Sequence, residues 1–398
     1  MSEASHWCIV GPTHPFRGGI PRHTTLFADA AAGSDLDVDL VTYTRQYPEW
    51  LYKGESSRDP QQITPAAVTP EYRLDGIGPH TWWRTGRTIA ARRPDVLIVI
   101  WWHPWFAPMV GTVLRQVRRR SPDTLRIALC HNVFPHEGSR LDRRLVRYAL
   151  TPLDGLVVHA ASERDLANRL LADPPVLVTP HPTYTVDSAR RQPTVPDERQ
   201  PLTLLAFGIV RRYKGIDVLL RALPDVLRER SVRLIVAGEF WDPVAPYQDL
   251  IRDLGLEEHV ELRASYVPED ELAELLGSAD LMVAPYRSAT QSGAVEMAFG
   301  AGLPVVGTSV GGLADQIDDT VNGLLVPPDD PGALSRALVD ATDLATLARL
   351  TKGARSDGTL RPWTGLVDDI RGFAASLATG STAQERSSKR RSAGRTRR

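Results

Sequence analysis

The sequence predicts an α/β protein built from two parallel-sheet domains, and three observations support this. Short β-branched runs alternate with amphipathic helical stretches, as is typical of parallel sheets with right-handed crossovers. The 398 residues exceed the size at which a single core keeps growing. A polar, proline-rich stretch at residues 187–201 separates an earlier series of strands from a later one. We therefore expect a linker there.

The first domain is predicted over residues 1–186. Its six candidate strands are residues 7–10, 38–43, 96–100, 126–130, 156–158 and 176–178. Residues 162–171 are predicted to form a helix because Ser162 can cap its start and acidic side chains in its first turn suit the helix dipole. Residues 56–70, rich in proline and glutamine, are predicted to form a mobile loop.

Residues 96–114 have the hydropathy of a membrane span, with the sequence VLIVIWWHPWFAPMVGTVL. His103, Pro104 and Pro108 interrupt the run, and its first five residues favour β structure. A buried strand, an aromatic loop and a helix are therefore predicted instead of a spanning helix.

The second domain is predicted over residues 202–355. Its candidate strands are residues 202–207, 233–237, 260–262, 281–284, 305–307 and 324–326. Ligands of doubly wound sheets bind beyond the carboxyl ends of the strands. The loops that follow these strands are therefore where a binding site is expected.

The loop after residues 202–207 runs from Gly208 to Gly215 and carries Arg211, Arg212 and Lys214. An arginine fork and a lysine point charge together suit a diphosphate, although a basic loop alone is more often simply a solvated surface.

The loop after residues 281–284 brings Ser292 and Gly293 to the start of a predicted helix, where free amides can bind an anion. Taken alone, this is also the pattern of a capped helix without a ligand. A third glycine loop at residues 309–317 repeats the arrangement. Three such loops on one sheet edge favour a phosphate-bearing ligand.

Composition and charge point to a cytoplasmic protein. The two cysteines, Cys8 and Cys130, lie in apolar runs and are predicted to be reduced core residues. The sequence begins without the basic and apolar regions of an export signal. The net charge is −1, yet residues 385–398 carry seven arginine or lysine residues against Glu385, a local charge of +6.

Residues 377–398 are predicted to form a disordered basic tail, because the stretch 385–398 is rich in serine and lacks large apolar side chains. The tail is either merely solvated or weakly attracted to an anionic membrane on the cytoplasmic face. Nucleic acid is not expected as a partner, since no basic surface interleaved with aromatic residues accompanies the tail.

Several motifs resemble the donor domain of glycosyltransferase family 4, whose members are retaining enzymes of the GT-B fold. They are FGIVRRYKGIDVLLRAL, VAGEF, YVPEDELAELLGSADLMVAPY, FGAGLPVVGTSVGGLADQI and NGLLVPPDDPGAL, spread over residues 202–341. The segments GPTHPFRGGIPRH and CHNVFPHE in the first half are similar too. The resemblance implies two Rossmann-like domains facing each other across a cleft. It also implies that residues 356–376 form a helix that crosses back to the first domain.

The resemblance assigns roles to individual residues. Lys214 matches the lysine that contacts the donor diphosphate, and His131 matches the histidine beside the donor sugar. Gly18 and Gly19 match the loop that faces the leaving phosphate and the acceptor. From the residues alone, His131 fits a core histidine as well. The donor-binding set expected from the loops and the resemblance is Gly208, Arg211, Arg212, Lys214, Val267, Ser292, Gly293 and Glu296.

The sequence departs from the family pattern in two respects. Ile209 stands where the family has an arginine, and Arg211 is expected to supply that cation from two residues further on. Ala289 and Met297 stand where the family has paired glutamates. Glu296 is adjacent to the second of them and is a candidate for contact with a ribose. The chain is thus expected to belong to a branch that lacks the glutamate pair.

Acceptor contacts are expected from the first domain, with Trp102 and His103 as the pocket candidates, although packing at a domain edge would also explain such aromatic residues. The predicted activity moves a hexose-type sugar from a nucleoside-diphosphate sugar to a hydroxyl of a glycan, a lipid-linked or a small-molecule acceptor. His131, Lys214 and Arg211 are the predicted catalytic residues.

No metal or other cofactor is expected, because the sequence has no ligand-spaced cluster of His, Cys and carboxylate residues and cationic loops can replace Mg²⁺. The alternatives are a non-catalytic nucleotide-sugar-binding relative, a GT-B-fold nucleotide-sugar epimerase and, least favoured, a nucleic-acid binder.

Overall fold

The computed structural model describes residues 5–48, 58, 67–135, 138–185, 201–356 and 358–395, with side chains up to residue 379. The described chain divides into two compact units. The first extends to Thr179 and includes the C-terminal helix from Trp363 onward, and the second is Pro180–Pro362. The linker predicted at residues 187–201 lies outside the described residues except for Pro201, and so does most of the loop predicted at residues 56–70.

The first unit contains a seven-stranded, all-parallel sheet of order β3-β2-β1-β4-β5-β6-β7. Its strands are β1 His6–Val10, β2 Asp37–Arg45, β3 Pro70–Asp75, β4 Val96–Trp101, β5 Leu125–Cys130, β6 Gly155–Val158 and β7 Val176–Val178. Its helices are α1 Gly19–Ala32, α2 Pro79–Arg92, α3 Ala107–Arg120, α4 Arg140–Leu150 and α5 Ala161–Leu170.

The second unit contains a six-stranded, all-parallel sheet of order β10-β9-β8-β11-β12-β13. Its strands are β8 Leu202–Phe207, β9 Val232–Ala237, β10 Val260–Arg263, β11 Leu281–Ala284, β12 Val305–Thr308 and β13 Gly323–Val326. Its helices are α6 Ile216–Glu229, α7 Ala245–Asp253, α8 Glu269–Ser278, α9 Gly293–Gly300, α10 Leu313–Gln316, α11 Pro331–Ala341 and α12 Leu344–Ala354.

All twelve predicted strands are present, with bounds within two residues of those expected. The missed strand is β3, an edge strand with the sequence PEYRLD in which only Leu74 is buried. Exposure on both faces removes the alternation by which strands are recognised. The prediction that Ser162 caps its helix was wrong. The chain is extended at Ala160 and α5 begins at Ala161, which leaves Ser162 inside the helix.

The apolar run at residues 96–114 forms β4, a short 3-10 turn at Pro104–Phe106 and the first part of α3, as predicted. Among the described residues, none of the helices is both long enough and apolar enough to span a bilayer. The charged end of α3, which contains Arg118, Arg119 and Arg120, lies on the protein surface.

The first sheet is covered on both faces, as an all-parallel sheet requires. One core layer includes Ile89 of α2, Val113 of α3 and Val146 of α4. The other joins Phe27 of α1 to Leu366 and Ile370 of the C-terminal helix α13 (Trp363–Arg395). Within this unit, α2, α3 and α4 therefore share one side of the sheet, whereas α1 and α13 pack on the other.

The backbone of α13 continues to Arg395, although disorder was predicted from residue 377. That prediction rested on the absence of large apolar side chains, which governs packing. Backbone helicity depends on other features, and residues 377–395 contain no proline and many residues compatible with a helix.

Candidate active site

The strand order of the second sheet reverses between β8 and β11, which are hydrogen-bonded neighbours although β9 and β10 intervene in the sequence. A crevice opens beyond the carboxyl ends of strands at such a reversal, and ligands bind there. In this unit the crevice is bordered by the loop that follows β8 and the loop that follows β11. These are the two loops in which the sequence placed Lys214 and Ser292.

Two glycines shape the loop after β8. Gly208 has φ +103° and Gly215 has φ +66°, both in the region that favours glycine. A Cβ atom on Gly215 would lie 1.9 Å from the carbonyl oxygen of Pro285. The absence of a side chain therefore lets this loop rest directly on the segment after β11, with Lys214 at the contact.

Lys214 is fixed by Tyr286. Its Nζ donates a 2.7 Å hydrogen bond to the Tyr286 hydroxyl and lies 4.0 Å from the centroid of the same ring. Burial alone would lower the pKa of Lys214, but the hydroxyls of Tyr286 and Tyr213 outweigh it and raise the pKa. Lys214 is therefore a cation at neutral pH, held on a buried tyrosine.

Tyr286 connects this cation to the start of α9. Its hydroxyl lies 3.2 Å from Oγ of Ser292, and Oγ of Ser292 in turn accepts the amide of Val295 as an N-cap. Within the described part of the chain, the amides of Gly293 and Ala294 donate to no protein acceptor. These two N–H groups are oriented as an anion site at a helix N-terminus requires.

The amide of Ser292, which was also expected to be free for an anion, is already hydrogen-bonded. It donates a 2.7 Å hydrogen bond to Oε1 of Gln316, at the end of α10, so in this structure it is already used. Gln316 also donates to the carbonyl of Ser292 (3.2 Å) and to Oε1 of Glu296 (2.8 Å). The third glycine loop therefore meets the second through Gln316, a residue that the sequence analysis did not single out.

Glu296 points into the domain, and its side chain is 1% exposed. Its two carboxylate oxygens accept hydrogen bonds from Gln316 and from Thr183 (3.0 Å), and Arg361 lies 3.8 Å away. Burial raises the pKa of Glu296 to about 7, against the lowering effect of these partners. The carboxylate is therefore held inside the second unit by protein groups, and its contact with a ribose stays a prediction.

The remaining residues predicted to bind the sugar donor lie away from the contact between Lys214, Tyr286 and Ser292. Arg211 is exposed, with its guanidinium 5.7 Å from the Tyr213 ring and 5.8 Å from the Trp241 ring. Arg212 lines a separate cavity of about 600 Å³, which Lys214 does not line. Val267 is half-buried in the loop after the edge strand β10. Of the predicted cations, the structure thus connects only Lys214 to the start of α9.

Arg287 was missed by the sequence analysis. It makes a bidentate ion pair with Asp217 (2.8 Å for each bond), and its Nη1 also donates to the carbonyl of Arg212. Its amide donates to the carbonyl of Tyr213. This arginine therefore fastens the Lys214 loop to the β11 segment. A recognisable signal was available, since Asp217 opens α6 and Arg287 follows β11.

In the first unit, Gly18 and Gly19 lie at the start of α1, where Gly18 has φ +110°. Both glycines are exposed, and a Cβ atom on either would meet nothing within 4 Å. A side chain at either position would therefore point into open space, and α1 begins without a side-chain cap.

His131 follows β5 directly and is buried, with its amide bonded to the carbonyl of Trp101. Its ring lies 4.5 Å from the ring of His23 on α1 and 6.1 Å from that of His159, measured between centroids. Burial and the nearby His159 lower the pKa of His131 to about 3. His131 is therefore neutral at physiological pH. Three histidines from three separate elements meet here, and their spacing in the sequence gave no sign of it.

Trp102 and His103 take part in local packing and capping. The Trp102 ring lies 4.3 Å from that of Phe106, and its Nε1 donates to the hydroxyl of Tyr47 (3.1 Å). Nδ1 of His103 accepts the amide of Trp105 at the start of the 3-10 turn. His103 remains exposed, whereas Trp102 is half-buried beside the core.

Comparison with known proteins places these loops in a family. A family model described as "Glycosyl transferases group 1" matches residues 201–343, which includes both loops. The chain is 30% identical over 307 residues to D-inositol 3-phosphate glycosyltransferase 1 of Catenulispora acidiphila, which covers 70% of this chain and 72% of the relative. It is 31% identical over 270 residues to D-inositol 3-phosphate glycosyltransferase of Corynebacterium kroppenstedtii. That alignment covers 61% of this chain and 58% of the relative.

Solved structures share the fold at low identity. Sucrose-phosphate synthase from Thermosynechococcus elongatus has a TM-score of 0.66 at 18% identity, covering 96% of this chain and 98% of that one. Anabaena HepE in complex with UDP has a TM-score of 0.70 at 15% identity, with 94% and 100% covered. The predicted pair of parallel-sheet α/β domains is confirmed, and the chain belongs to the group 1 glycosyltransferases of the GT-B fold.

Proposed function

We propose that this glycosyltransferase moves a hexose-type sugar from a nucleoside-diphosphate sugar to an acceptor hydroxyl with retention of anomeric configuration. The observation that carries the proposal is the hydrogen-bonded series Lys214–Tyr286–Ser292. It holds a permanent cation next to the start of α9, at the strand-order reversal of the second sheet. A diphosphate needs such a combination of point charge and aimed amides.

In this proposal Lys214 and the amides of Gly293 and Ala294 bind the diphosphate, and the exposed Arg211 adds charge at the rim. Ser292 acts through its hydroxyl, since its amide is bonded to Gln316. Glu296 serves as a positioning residue that holds Gln316 in place. A uridine nucleotide is the donor type we favour, because solved structures of HepE contain UDP or UDP and glucose.

The chemistry follows from these roles. The bond between the anomeric carbon and the diphosphate oxygen breaks, and negative charge builds on the leaving oxygen. Lys214 and the helix-start amides stabilise that charge as it develops, which is usually the largest single contribution to catalysis. The acceptor oxygen forms the new bond on the same face of the sugar, and its proton passes to the leaving phosphate oxygen.

We assign the acceptor side to the first unit, where Gly18 and Gly19 are exposed at the start of α1. Because the pKa of His131 is about 3, this residue interacts with the sugar as a neutral hydrogen-bonding group and contributes no charge. The relatives named for D-inositol 3-phosphate favour a small-molecule acceptor over a glycan or a lipid-linked one.

We further propose that transfer requires no metal, since Lys214 and the amides can neutralise the diphosphate. Activity that survives a chelator would support this, whereas activity restored by a divalent cation after chelation would contradict it. A cytoplasmic location, with weak membrane contact through the basic residues 385–398, completes the proposal.

The test is to incubate the chain with UDP-, GDP- and ADP-sugars and candidate acceptors, including inositol 3-phosphate. Nucleoside-diphosphate release and the anomeric configuration of the product are measured. Lys214→Ala is expected to lower kcat/KM by about 10²- to 10³-fold, and Lys214→Arg should retain part of it. Unchanged donor binding in Lys214→Ala would refute the diphosphate assignment.

A non-catalytic nucleotide-sugar binder is the second candidate, favoured by Ala289 and Met297 at the positions of the family glutamates. Tight donor binding without turnover on any acceptor would support it.

A further inference from the structure

The first unit carries an arginine-rich surface that sugar transfer does not explain. It is formed by α2, α3 and α4, which contain three, four and four arginines and a single acidic residue, Asp142. The net charge of these helices is therefore +10, although the whole chain carries −1. The excess of negative charge therefore lies in the rest of the chain, and the surface of these three helices has a strongly positive electrostatic potential.

The three helices form one continuous layer. Gly86 of α2 lies so close to α3 that a Cβ atom there would be 2.7 Å from Cβ of Gln116. Gly111 of α3 does the same with α4, where the added atom would be 2.4 Å from the Tyr148 ring. All three helices pack through one core layer on the same side of the sheet. Their outer sides therefore make up a single surface.

The charges on this layer are available. Nine of the eleven arginines are exposed, and the other two, Arg92 and Arg115, are half-buried. Among the described residues, Arg92 is the one member of the set that pairs with carboxylates, those of Asp39 and Glu71. Arg115, Arg120 and Arg147 donate hydrogen bonds to uncharged groups of the protein and keep their charge. So large an excess of exposed positive charge on one surface favours an external anion as partner.

Large apolar side chains are exposed among these arginines. Leu141 is 63% exposed, Trp83 43% and Tyr148 41%. Guanidinium groups surround the two aromatic rings: Arg87 lies 4.5 Å from the Trp83 ring centroid and Arg115 lies 3.8 Å from that of Tyr148. Apolar side chains interleaved with cations are characteristic of surfaces that lie in the headgroup region of a membrane.

We propose that the α2–α3–α4 layer docks on an anionic lipid bilayer. The arginines bind lipid phosphates, and Leu141 and Trp83 insert at the acyl boundary. Nucleic acid fits less well, because an aliphatic side chain such as Leu141 does not stack on bases and three helices side by side are too broad for a groove. The proposal does not depend on the identity of the sugar donor, and it concerns a surface separate from the basic tail.

The experiment measures binding of the full chain to phosphatidylcholine vesicles with and without phosphatidylglycerol, at low and high ionic strength. We expect binding only to the anionic vesicles, weakened by salt. The variant Arg119→Gln/Arg143→Gln/Arg144→Gln removes three exposed charges and should weaken binding on the order of a hundredfold. Arg228→Gln/Arg252→Gln/Arg336→Gln, which removes three exposed charges from the second unit, is the matched control and should have little effect.

Two further arms distinguish docking of this layer from binding through the basic tail. Leu141→Gln should weaken vesicle binding, whereas Val321→Gln, at an exposed apolar residue of the second unit, should not. A full chain with glutamine at the seven basic tail positions should still bind anionic vesicles. The proposal is overturned if this tail variant loses binding while the α3–α4 variant keeps it, or if the layer binds duplex DNA and not vesicles. Transfer to a soluble acceptor should be equal in all variants, so its failure would concern the proposed function alone.

Discussion

Lys214 and Tyr286 are joined by a 2.7 Å hydrogen bond from ammonium to hydroxyl, and they come from loops after two neighbouring strands. The same hydroxyl lies 3.2 Å from Oγ of Ser292, the N-cap of α9. The cation and the helix start are therefore positioned by one tyrosine, and the two parts of the anion site cannot shift independently.

Tyr286→Phe is expected to lower kcat/KM for the donor about ten- to a hundredfold, because a hydrogen bond to a charged group contributes roughly 1.5–3 kcal/mol. Lys214 would keep its charge but lose its fixed position. Steady-state kinetics with varied donor concentration measure the effect. Tyr247→Phe, in the same unit but lining a different cavity, is the control and should behave like the unchanged chain. Equal kinetics for both variants would show that Tyr286 does not position Lys214.

Gly215→Ala is expected to destabilise the second unit by more than about 3 kcal/mol, because a positive φ and a backbone clash add together. The control is Gly255→Ala. Gly255 has φ +65°, almost equal to the +66° of Gly215, but a Cβ atom there meets nothing within 4 Å. Gly255→Ala should lower the free energy of unfolding only by the backbone strain, roughly 1–2 kcal/mol. Urea unfolding of both variants separates the clash with Pro285 from the strain, and equal losses would argue against the close approach.

Glu296→Gln should change how stability depends on pH. The pKa of Glu296 rises from 4.5 to about 7 on folding, so the folded chain holds a proton that the unfolded chain releases. The stability of the unchanged chain should therefore fall as pH rises from about 4.5 to 7, by about 3 kcal/mol from this group. The glutamine variant has no such proton to lose. Its free energy of unfolding should therefore rise relative to that of the unchanged chain as pH increases from about 4.5 to 7. Denaturant unfolding at several pH values measures it, with exposed Glu229→Gln as the control. Parallel pH curves for Glu296→Gln and the unchanged chain would contradict the assignment.

His131 should remain neutral until the solution is strongly acidic, because burial lowers its pKa from 6.5 to about 3. The unfolded chain takes up the proton below pH 6.5 and the folded chain does not, so this group lowers stability as pH falls through that range. NMR titration of the histidine ring protons should show that the His131 resonance does not shift between pH 8 and 5. Its loss in His131→Gln would assign it. A shift of that resonance near pH 6.5 would refute the buried neutral state.

The sequence predicted the fold well because parallel strands buried on both faces are marked by continuous β-branched runs. It located Lys214 and the start of α9 because a glycine turn directly after a parallel strand is typical of a ligand-binding loop. It could not show which groups inside these loops were already bonded to each other. Gln316 lies 24 residues beyond Ser292, and a bond over that distance follows from tertiary packing and leaves no local pattern. For the same reason the sequence proposed Glu296 as a contact for a ribose and gave no sign of its hydrogen bonds to Gln316 and Thr183.

The three contacts of Gln316 also limit which substitutions this site can tolerate during evolution. Gln316 satisfies the amide and carbonyl of Ser292 and one oxygen of Glu296 at once. Replacing Gln316 alone would leave the buried amide of Ser292 without its acceptor and remove one of the donors to the buried carboxylate of Glu296, which is more costly than the contact itself. We therefore expect relatives to exchange the residues at positions 296 and 316 together. In such lineages, paired substitution at these two positions would mark where the anion site has been rebuilt.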